Sequence, residues 1–377
     1  MEYTTMRIGF AYDSAYPWFN GGIEKRRFLI MQELQRAGHE IHCFTMYREG
    51  MTGMEFTYKG VHYHCVGMAV PASSMYKNGR RNMSWPIKYA ALLPLKIIDY
   101  KFDIIDADAF PFLHIPKLAA YAKLTGAKFV VTWHEVWDKK YWKSYLPTFG
   151  VLGYLAEKVS AKLSGNAIAN TAATKEDLIR IFDMAEESVQ VFPAAISRRE
   201  LEAFARKSPR KPSGKFVVIG RLIPEKRVDL AIRAVAKTKA GLLVIGSGPE
   251  KQRLIALAKE LGASGRIKFM EGVKEEQLLR ELRNSLALLM FSEREGMSII
   301  TIEALALGVP VLVTKETSLP AEIKRHCHAI ETMEIARMIA NKGSALYKKG
   351  ASAREVLEKF SVEKAPEIYR QIKKDGK

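Results

Sequence analysis

Two glutamates stand in an otherwise apolar segment of the second half of the chain. Residues 294–310 read REGMSIITIEALALGVP, in which Glu295 and Glu303 are eight positions apart. Two carboxylates that face one site could act as a general acid and base, or could hold hydroxyl groups of a ligand. A second interpretation, that Glu303 is an exposed residue of an amphipathic helix, is open on these residues alone.

The elements around this segment would place both carboxylates at the edge of a sheet. LALLMFS has the pattern of a buried strand, EREGMS that of a loop, and IITIEALALG that of a helix ended by Gly308 and Pro310. In a doubly wound sheet, ligands bind outside the carboxyl ends of the strands, where this loop would lie. Backbone N–H groups near Gly296 and Ser298, together with the helix N-terminus, favour a phosphate. We therefore expect a phosphate-bearing ligand at this loop.

Short β-branched runs alternate with amphipathic helices along the chain. RIGFAY, FDIIDAD and KFVVTW are strand patterns of the first half, and KFVVIG, GLLVIG and IKFMEG of the second. This alternation predicts the α/β class, with two Rossmann-like doubly wound domains. The basic stretch at 197–215, which contains two prolines and a glycine, indicates the junction. The predicted segments are an N-terminal domain at 1–195, a C-terminal domain at 196–355 and a helical tail at 356–377.

The composition is that of a globular protein without a membrane span. The chain has 377 residues, of which 48% are hydrophobic and 27% charged, and no apolar run reaches the length of a spanning helix. No secretory signal is visible at the N-terminus, so we expect a cytoplasmic protein. Three widely spaced cysteines argue against a disulfide framework or a structural zinc site, and we expect them to be small buried hydrophobes.

The positive charge calls for acidic partners and is unevenly distributed. The formal net charge is +18, and Lys and Arg outnumber Asp and Glu by 36 to 22 in residues 193–377 but only by 23 to 19 in residues 1–192. Nucleotide phosphates, nucleic acid or an anionic membrane face are partners that such a charge attracts. The second half of the chain is therefore the predicted phosphate-binding half.

A basic and aromatic segment covers residues 76–101, YKNGRRNMSWPIKYAALLPLKIIDYK. It holds six Lys or Arg against one Asp, with Tyr76, Trp85, Tyr89 and Tyr100 interleaved. Such a segment is typical of peripheral docking on an anionic membrane, here at the inner face of the cell membrane. The alternative is a helix that packs on the core and has a solvated basic end.

Several motifs together resemble the retaining GT-B glycosyltransferases of family 4. EGMSIITIE resembles the Glu-x7-Glu motif of that family, and EALALGVP resembles the A-M-A-x-G-x-P that follows it. VIGRLIPEKRVDLAIRA, VIGSGPE and IKFMEGV resemble three motifs upstream of it. In the first half, NGGIEKRRFLIMQELQRAGHEIHCF resembles the G-G-x-E helix with its G-H-E-V strand, and VVTWHE resembles V-x-T-x-H-D. The similarity covers most of the chain, in the family's order.

This resemblance implies an enzyme that moves a hexose from a UDP- or GDP-sugar to an acceptor hydroxyl with retention. It implies no cofactor and no required metal, because fixed cations stabilise the departing diphosphate. It further implies two domains that face each other across a cleft. The donor would bind on the C-terminal domain, a glycan or lipid-linked acceptor on the N-terminal one, and the last helix would cross back to the N-terminal domain.

The same resemblance assigns roles by motif position. The implied catalytic residues are His134, Arg221, Lys226 and Glu295. The implied substrate-binding residues are Gly21, Gly22, Gly220, Met297, Ser298, Ile299 and Glu303. Arg221 and Lys226 would hold the diphosphate oxygens. Glu303 would bind the ribose, whereas Glu295 and His134 would lie by the transferred sugar, and the departing phosphate itself would accept the proton.

The chain departs from the family pattern at several positions. Arg227 follows the lysine where the family usually has glycine, and Met297 and Ser298 replace Phe and Gly. FDIIDAD puts Asp106 and Asp108 where the family tends to have histidines. An Asp-x-Asp pair is also the metal motif of the other glycosyltransferase fold, but no other pattern of that fold surrounds it. We therefore interpret both as polar residues at a strand end.

Two other functional classes are compatible with parts of the sequence. Nucleotide-sugar 2-epimerases share the two-domain architecture but resemble this chain less, and they do not carry the EGMSIITIEALALGVP arrangement. A nucleotide- or nucleic-acid-binding protein without enzymatic activity would use the basic surface alone. No nucleic-acid motif is recognisable, and no specific nucleic-acid partner is predicted.

Overall fold

The computed structural model describes residues 4–19, 21–69, 76–77, 80–82, 84–330 and 353–374. The chain divides into two units, one formed by Met1–Ala195 with Val362–Lys377 and the other by Ile196–Ser361. The predicted junction after residue 195 coincides with the first division. The chain rejoins the first unit at Val362, six residues later than the predicted position.

The first unit is built on an eight-stranded sheet in the order β10-β9-β8-β7-β1-β2-β4-β3, with every neighbouring pair parallel except β3 and β4. Its strands are β1 (Arg7–Ala11), β2 (Glu40–Tyr47), β3 (Glu55–Tyr58), β4 (Val61–Met68), β7 (Ile104–Asp108), β8 (Lys128–Trp133), β9 (Asn166–Ala169) and β10 (Val189–Val191). A separate antiparallel pair consists of β5 (Tyr76–Lys77) and β6 (Arg80–Arg81). Successive side chains such as Ile104 and Ile105 are both fully buried because helices cover both faces of the sheet.

Helices of the first unit separate into two layers. The first six are α1 (Gly22–Arg36), α2 (Ser84–Ile97), α3 (Ile115–Thr125), α4 (Lys139–Tyr145), α5 (Gly150–Leu163) and α6 (Ala172–Phe182). One hydrophobic cluster joins α2, α3, α5 and α6 to one sheet face, and a second joins α1 to the other. Trp85 and Tyr89 of α2 lie in the first cluster with 2% and 0% exposure. These two rings therefore pack in the core and cannot enter a membrane. This agrees with the alternative interpretation of the segment, a helix that packs on the core.

The second unit has a six-stranded parallel sheet in the order β13-β12-β11-β14-β15-β16. Its strands are β11 (Lys215–Ile219), β12 (Gly241–Ile245), β13 (Ile267–Met270), β14 (Leu288–Leu289), β15 (Val311–Val313) and β16 (His328–Ala329). Its helices are α7 (Arg198–Lys207), α8 (Val228–Ala236), α9 (Lys251–Glu260), α10 (Glu275–Asn284), α11 (Ile299–Ala306), α12 (Ala321–Lys324) and α13 (Ala353–Lys359). This strand order is that of the dinucleotide-binding α/β fold, and it reverses between β11 and β14.

The last helix, α14 (Ala365–Lys374), belongs to the first unit and packs beside α1. Tyr369 and Ile372 lie in the same cluster as α1. Burial raises the pKa of Tyr369, so its hydroxyl stays protonated and donates to Asp106. Lys373 Nζ lies 2.6 Å from Asp103 Oδ1. Specific polar contacts as well as apolar packing therefore hold the tail on the first unit.

Replacing Tyr369 by Phe is expected to lower the free energy of unfolding by about 1.5–3 kcal/mol, because the buried Asp106 carboxylate loses a hydrogen bond. Urea unfolding followed by circular dichroism measures it. Tyr58→Phe is the control, since the Tyr58 hydroxyl forms no hydrogen bond among the described residues. Equal midpoints for the two variants would show that the Tyr369 hydroxyl contributes nothing.

The structure also bears on two expectations from composition, which concern the cysteines and membrane-spanning helices. Cys43 and Cys65 are buried and Cys327 is partly buried, and all three are free thiols whose pKa burial raises to about 12. They are packing residues, as expected. Within the described part of the chain, no helix combines the length and the apolar character that crossing a bilayer demands.

Candidate active site

The second unit brings its loops together at the carboxyl ends of β11 and β14, where the strand order reverses. The glycine turn that follows β12 packs on the loop after β11, because Leu222 N–H donates to Ser247 O at 2.8 Å and Glu250 N–H to Leu222 O at 3.0 Å. A Cβ on Gly246 would lie 1.9 Å from the Gly220 carbonyl oxygen. Only glycine fits there, and the loop after β11 is held from one side by this turn.

Ion pairs and a backbone hydrogen bond connect the loops after β11 and β14. Lys226 Nζ donates to Glu295 Oε1, with side chains that are 22% and 10% exposed. Glu293 N–H donates to Glu225 O at 2.9 Å, and Arg227 Nη1 lies 2.7 Å from Glu293 Oε1. The structure therefore brings together two of the predicted catalytic residues, an ammonium and a carboxylate 69 positions apart in sequence.

Gly220, Arg221 and Lys226 line one pocket, together with Phe291 and Ser292. Arg221 is exposed, so its guanidinium can reach a ligand at the loop. A Cβ on Gly220 would meet no atom within 4 Å, so this glycine leaves open space at the pocket. Two cations beside a glycine suit the oxygens of a diphosphate.

Helix α11 begins at the end of the loop that follows β14. Ser298, with φ 54°, precedes the helix, and the backbone N–H groups of Ile299 and Ile300 form no hydrogen bond within the described residues. Such N–H groups and the helix dipole bind phosphate oxygens. The N–H groups of Ile299 and Ile300 are therefore available to a ligand, and the roles assigned to Ser298 and Ile299 stay predictions. Met297 is 7% exposed and packs in the core, so only its backbone can contact a ligand.

Glu303 is 4% exposed and lies within α11. The interpretation of Glu303 as a solvent-exposed helix residue is therefore wrong. Helix α11 ends as predicted, with Gly308 at φ 71° two residues beyond Ala306. A buried carboxylate is held by hydrogen-bond donors, and hydroxyl groups of a ligand can be among them.

Arg227 and Ser298 both adopt the left-handed backbone conformation that glycine favours. Their φ values are 47° and 54°. These are the two positions at which the chain carries another residue where the family usually has glycine, and both hold a backbone conformation that glycine adopts without strain. Arg227 also gains ion pairs with Glu293 and Asp229, at 2.7 Å and 3.3 Å. A left-handed conformation costs a residue with a Cβ about 1–2 kcal/mol.

Ser298→Gly is expected to be about 0.5–1 kcal/mol more stable to unfolding than Ser298→Ala. Both variants lose the 2.8 Å hydrogen bond between Ser298 Oγ and Thr301 Oγ1, and only alanine keeps a Cβ in the left-handed conformation. Urea midpoints of the two variants give the difference directly. An alanine variant as stable as the glycine variant would contradict the strain at this position.

The glycine pair of the first unit opens α1. Gly21 caps the helix with extended backbone and Gly22 is its first residue. A Cβ on Gly21 would lie 2.0 Å from Glu24 Oε2, and Ser14 Oγ donates to the other oxygen of that carboxylate at 2.7 Å. Gly21 is thus needed to make room for the Glu24 carboxylate, a role that the sequence did not indicate.

His134 follows β8 and contacts the end of the neighbouring strand. Its Nε2 lies 2.5 Å from Asp108 Oδ1, at the end of β7. Burial lowers the pKa of His134, and the hydrogen bond to Asp108 opposes that effect in part. His134, Gly21 and Gly22 lie in the first unit, whereas the other predicted site residues lie in the second.

The interpretation of Asp106 and Asp108 as polar residues at a strand end was incomplete, because both are fully buried. Arg27 of α1 lies 2.8 Å from a carboxylate oxygen of each, and it is itself buried. Burial alone would raise the pKa of Asp108, but Arg27 and His134 outweigh it and hold that pKa below its ordinary value. Sequence reasoning missed Arg27. The sequence feature that could have indicated its role is an arginine in the apolar part of α1, together with an Asp-x-Asp pattern in a buried strand.

No three His, Cys, Asp or Glu side chains come together as ligands for a metal ion anywhere in the described ranges. The Asp106 and Asp108 carboxylates are occupied by Arg27, which supplies the positive charge that they require.

Comparison with known proteins agrees with this architecture. The model of "Glycosyltransferase Family 4" matches residues 20–199, and that of "Glycosyl transferases group 1" matches residues 200–345. The D-inositol 3-phosphate glycosyltransferase of Mycobacterium sp. (strain KMS) is 28% identical over an alignment of 171 residues, and the match covers 42% of this chain and 38% of that protein. The matched stretch thus spans well under half of that relative.

Two solved structures share the fold. Sucrose-phosphate synthase from Thermosynechococcus elongatus superimposes with a TM-score of 0.78 at 16% identity, and the match covers 98% of this chain and 100% of that one. Anabaena HepE, solved in complex with UDP, gives a TM-score of 0.70 at 14% identity, with 98% and 100% covered.

Two doubly wound units, the second with cations and carboxylates at its switch point, have the architecture of the GT-B fold. The family models identify the chain further. It belongs to glycosyltransferase family 4, because the two family models together match residues 20 to 345.

Proposed function

We propose that the protein transfers a hexose from a UDP- or GDP-sugar to an acceptor hydroxyl with retention and without a required metal. The observation that carries this proposal is the cluster of Arg221, Lys226 and Glu295 beside the N-terminus of α11. Cations and helix N–H groups in one place suit a leaving diphosphate, whose negative charge grows as the sugar departs.

Each residue has a separate role in this proposal. Arg221 and Lys226 bind the diphosphate oxygens, and the N–H groups at the start of α11 bind the distal phosphate. When the donor enters, Lys226 exchanges its contact with Glu295 for the diphosphate, which leaves the carboxylate to accept hydroxyl hydrogen bonds from the sugar. Glu303 accepts from the ribose hydroxyls. The departing phosphate takes the proton of the incoming hydroxyl.

Release of nucleoside diphosphate from a panel of UDP- and GDP-sugars tests the proposal. A donor that binds the folded state raises the unfolding temperature, so a thermal-shift screen identifies the base and sugar first. Turnover that falls steeply in Glu303→Ala but not in Lys259→Ala, an exposed lysine of α9, supports the assignment. A donor converted only to its 2-epimer, with no release of diphosphate, would favour the epimerase alternative.

We propose that the acceptor is glycan or lipid-linked and that the first unit contacts an anionic membrane at its cytoplasmic face. Ile87, Leu95 and Ile98, in and beside α2, are 53%, 74% and 69% exposed among basic residues. Helix α5 packs on the same sheet face and presents a second apolar stripe, formed by Leu152, Leu155, Val159 and Leu163. Lys158 and Lys162 flank that stripe, which suits anionic headgroups.

Co-sedimentation with vesicles that contain anionic lipid measures this contact. We expect the protein to bind them at low salt and the double variant Leu155→Glu/Val159→Glu to bind at least about tenfold more weakly, because two apolar side chains lose their insertion. Ile255→Glu, on α9 of the second unit, is the matched control. Wild-type protein that stays in the supernatant at low salt would remove the membrane contact from the proposal.

A further inference from the structure

One ring nitrogen of His134 is committed to a carboxylate and the other is not. Asp108 Oδ1 lies 2.5 Å from Nε2, and Arg27 Nε lies 2.8 Å from the second oxygen of the same carboxylate. Nδ1 forms no hydrogen bond within the residues that the structure describes. The His134 side chain is 13% exposed, so this nitrogen remains within reach of a ligand.

The contact with Asp108 determines which nitrogen of the His134 ring carries the hydrogen. An ionised carboxylate only accepts hydrogen bonds, so His134 Nε2 must carry the hydrogen of its contact with Asp108. A neutral imidazole has a single N–H, so Nδ1 of a neutral His134 is an acceptor.

The charges around His134 favour the neutral ring. Arg26 and Arg27 balance Asp106 and Asp108, two against two, and all four side chains are buried. These residues, apart from Asp106, are the charged groups that act on His134, and burial lowers its pKa. His114, the residue before α3, also interacts with Asp108, but burial lowers the pKa of His114 to about 4, so it adds no charge at neutral pH. A proton on His134 would therefore add an unbalanced buried charge.

We propose that Asp108 is a positioning residue that holds His134 as the neutral Nε2–H tautomer, so that Nδ1 accepts a hydrogen bond from a hydroxyl of the bound sugar or acceptor. The proposal rests on the proposed function for the identity of the ligand. It explains why this chain carries a fully buried Asp108 paired with Arg27: the arginine keeps the carboxylate ionised, and the ionised carboxylate sets the tautomer.

Asp108→Asn changes this arrangement with little change in shape. An asparagine can accept from Arg27 and donate its amide N–H to His134 Nε2, which forces the hydrogen onto Nδ1 and removes the acceptor. Asp106→Asn is the matched control. Asp106 lies in the same buried network and contacts Arg27, Thr132 and Tyr369, but it does not contact His134.

The experiment combines a spectroscopic and a kinetic reading. The ¹⁵N shifts of histidine-labelled protein at pH 7, with the His134 signal assigned from His134→Gln, are expected to show Nε2–H in the wild type and in Asp106→Asn. Asp108→Asn is expected to show Nδ1–H, and to lower kcat/KM for sugar transfer by about 10- to 100-fold. Asp106→Asn is expected to stay within about threefold of the wild type.

The outcomes separate the two proposals. A wild-type spectrum with Nδ1–H, or with an imidazolium at pH 7, overturns the role of Asp108, and this result needs neither substrate nor a folded Asp108 variant. An unchanged kcat/KM in an Asp108→Asn protein whose tautomer has switched also overturns it. Absence of sugar transfer by the wild type contradicts the proposed function alone, since the spectrum still decides the tautomer.

Discussion

Lys226→Ala is expected to lower kcat/KM for the nucleotide sugar by about 10²–10³-fold, the loss typical for removal of one group that stabilises a developing negative charge. The ammonium lies at the switch point of the second unit, where it meets Glu295 and lines the same pocket as Arg221. Without it, one cation fewer compensates the departing diphosphate. Steady-state assays of nucleoside diphosphate release measure the effect.

The matched control is again Lys259→Ala, which removes one positive charge from the same unit and is expected to keep kcat/KM within about twofold, as is usual for an exposed charge. Lys226→Arg keeps the charge but has the wrong shape for a single-point contact, so an intermediate loss is expected. Lys226→Ala with more than about a tenth of wild-type activity would contradict the assignment of Lys226 to the diphosphate.

Arg27→Ala is expected to lower the free energy of unfolding by about 3–5 kcal/mol, because it removes the guanidinium that contacts both buried carboxylates, Asp106 and Asp108. Arg27 is 5% exposed, and Asp106 and Asp108 are fully buried. Urea unfolding at pH 7 gives the difference. Arg36→Ala, at the partly exposed end of the same helix, is the control and is expected to cost no more than about 1 kcal/mol.

The effect of Arg27→Ala also depends on pH. The pKa of Asp108 in the folded protein lies below its ordinary value, so its contribution to stability is fully present above the unfolded pKa of about 3.9 and is lost as pH falls through the folded pKa. Without Arg27, burial raises the Asp108 pKa, and protonation then relieves the unpaired charge. The difference in the free energy of unfolding between the wild type and Arg27→Ala should therefore shrink toward acid pH. A difference that grows there would contradict the buried ion pair.

Predictions from local sequence patterns were accurate where a short stretch carries the whole signal. The helix after EREGMS runs from Ile299 to Ala306 and ends before Gly308, as its apolar pattern and glycine indicated. The junction after residue 195 was visible because prolines, glycine and basic residues interrupt the alternation. Such features depend on the conformational preferences of neighbouring residues, which act within one turn or one strand.

Other features depended on contacts between distant residues. The apolar residues of α2 look alike in sequence, yet Trp85 and Tyr89 are buried while Ile87 and Leu95 are exposed. The Arg27 side chain meets Asp106 and Asp108, which are 79 and 81 positions away, because α1 packs on the sheet beside β7. Such contacts depend on strand order and register, which the local sequence pattern does not determine.

By itself, the sequence determined the α/β class, the two-unit division, the family and the loops that carry Arg221, Lys226 and Glu295. These follow from periodicity and from motifs in which neighbouring residues act together. Only the tertiary structure decided that Glu303 is buried, that Arg227 and Ser298 adopt left-handed backbone, and that Asp108 joins Arg27 to His134. The physical reason is that burial and charge pairing are properties of the packed chain, in which side chains from separate elements replace water as each other's partners.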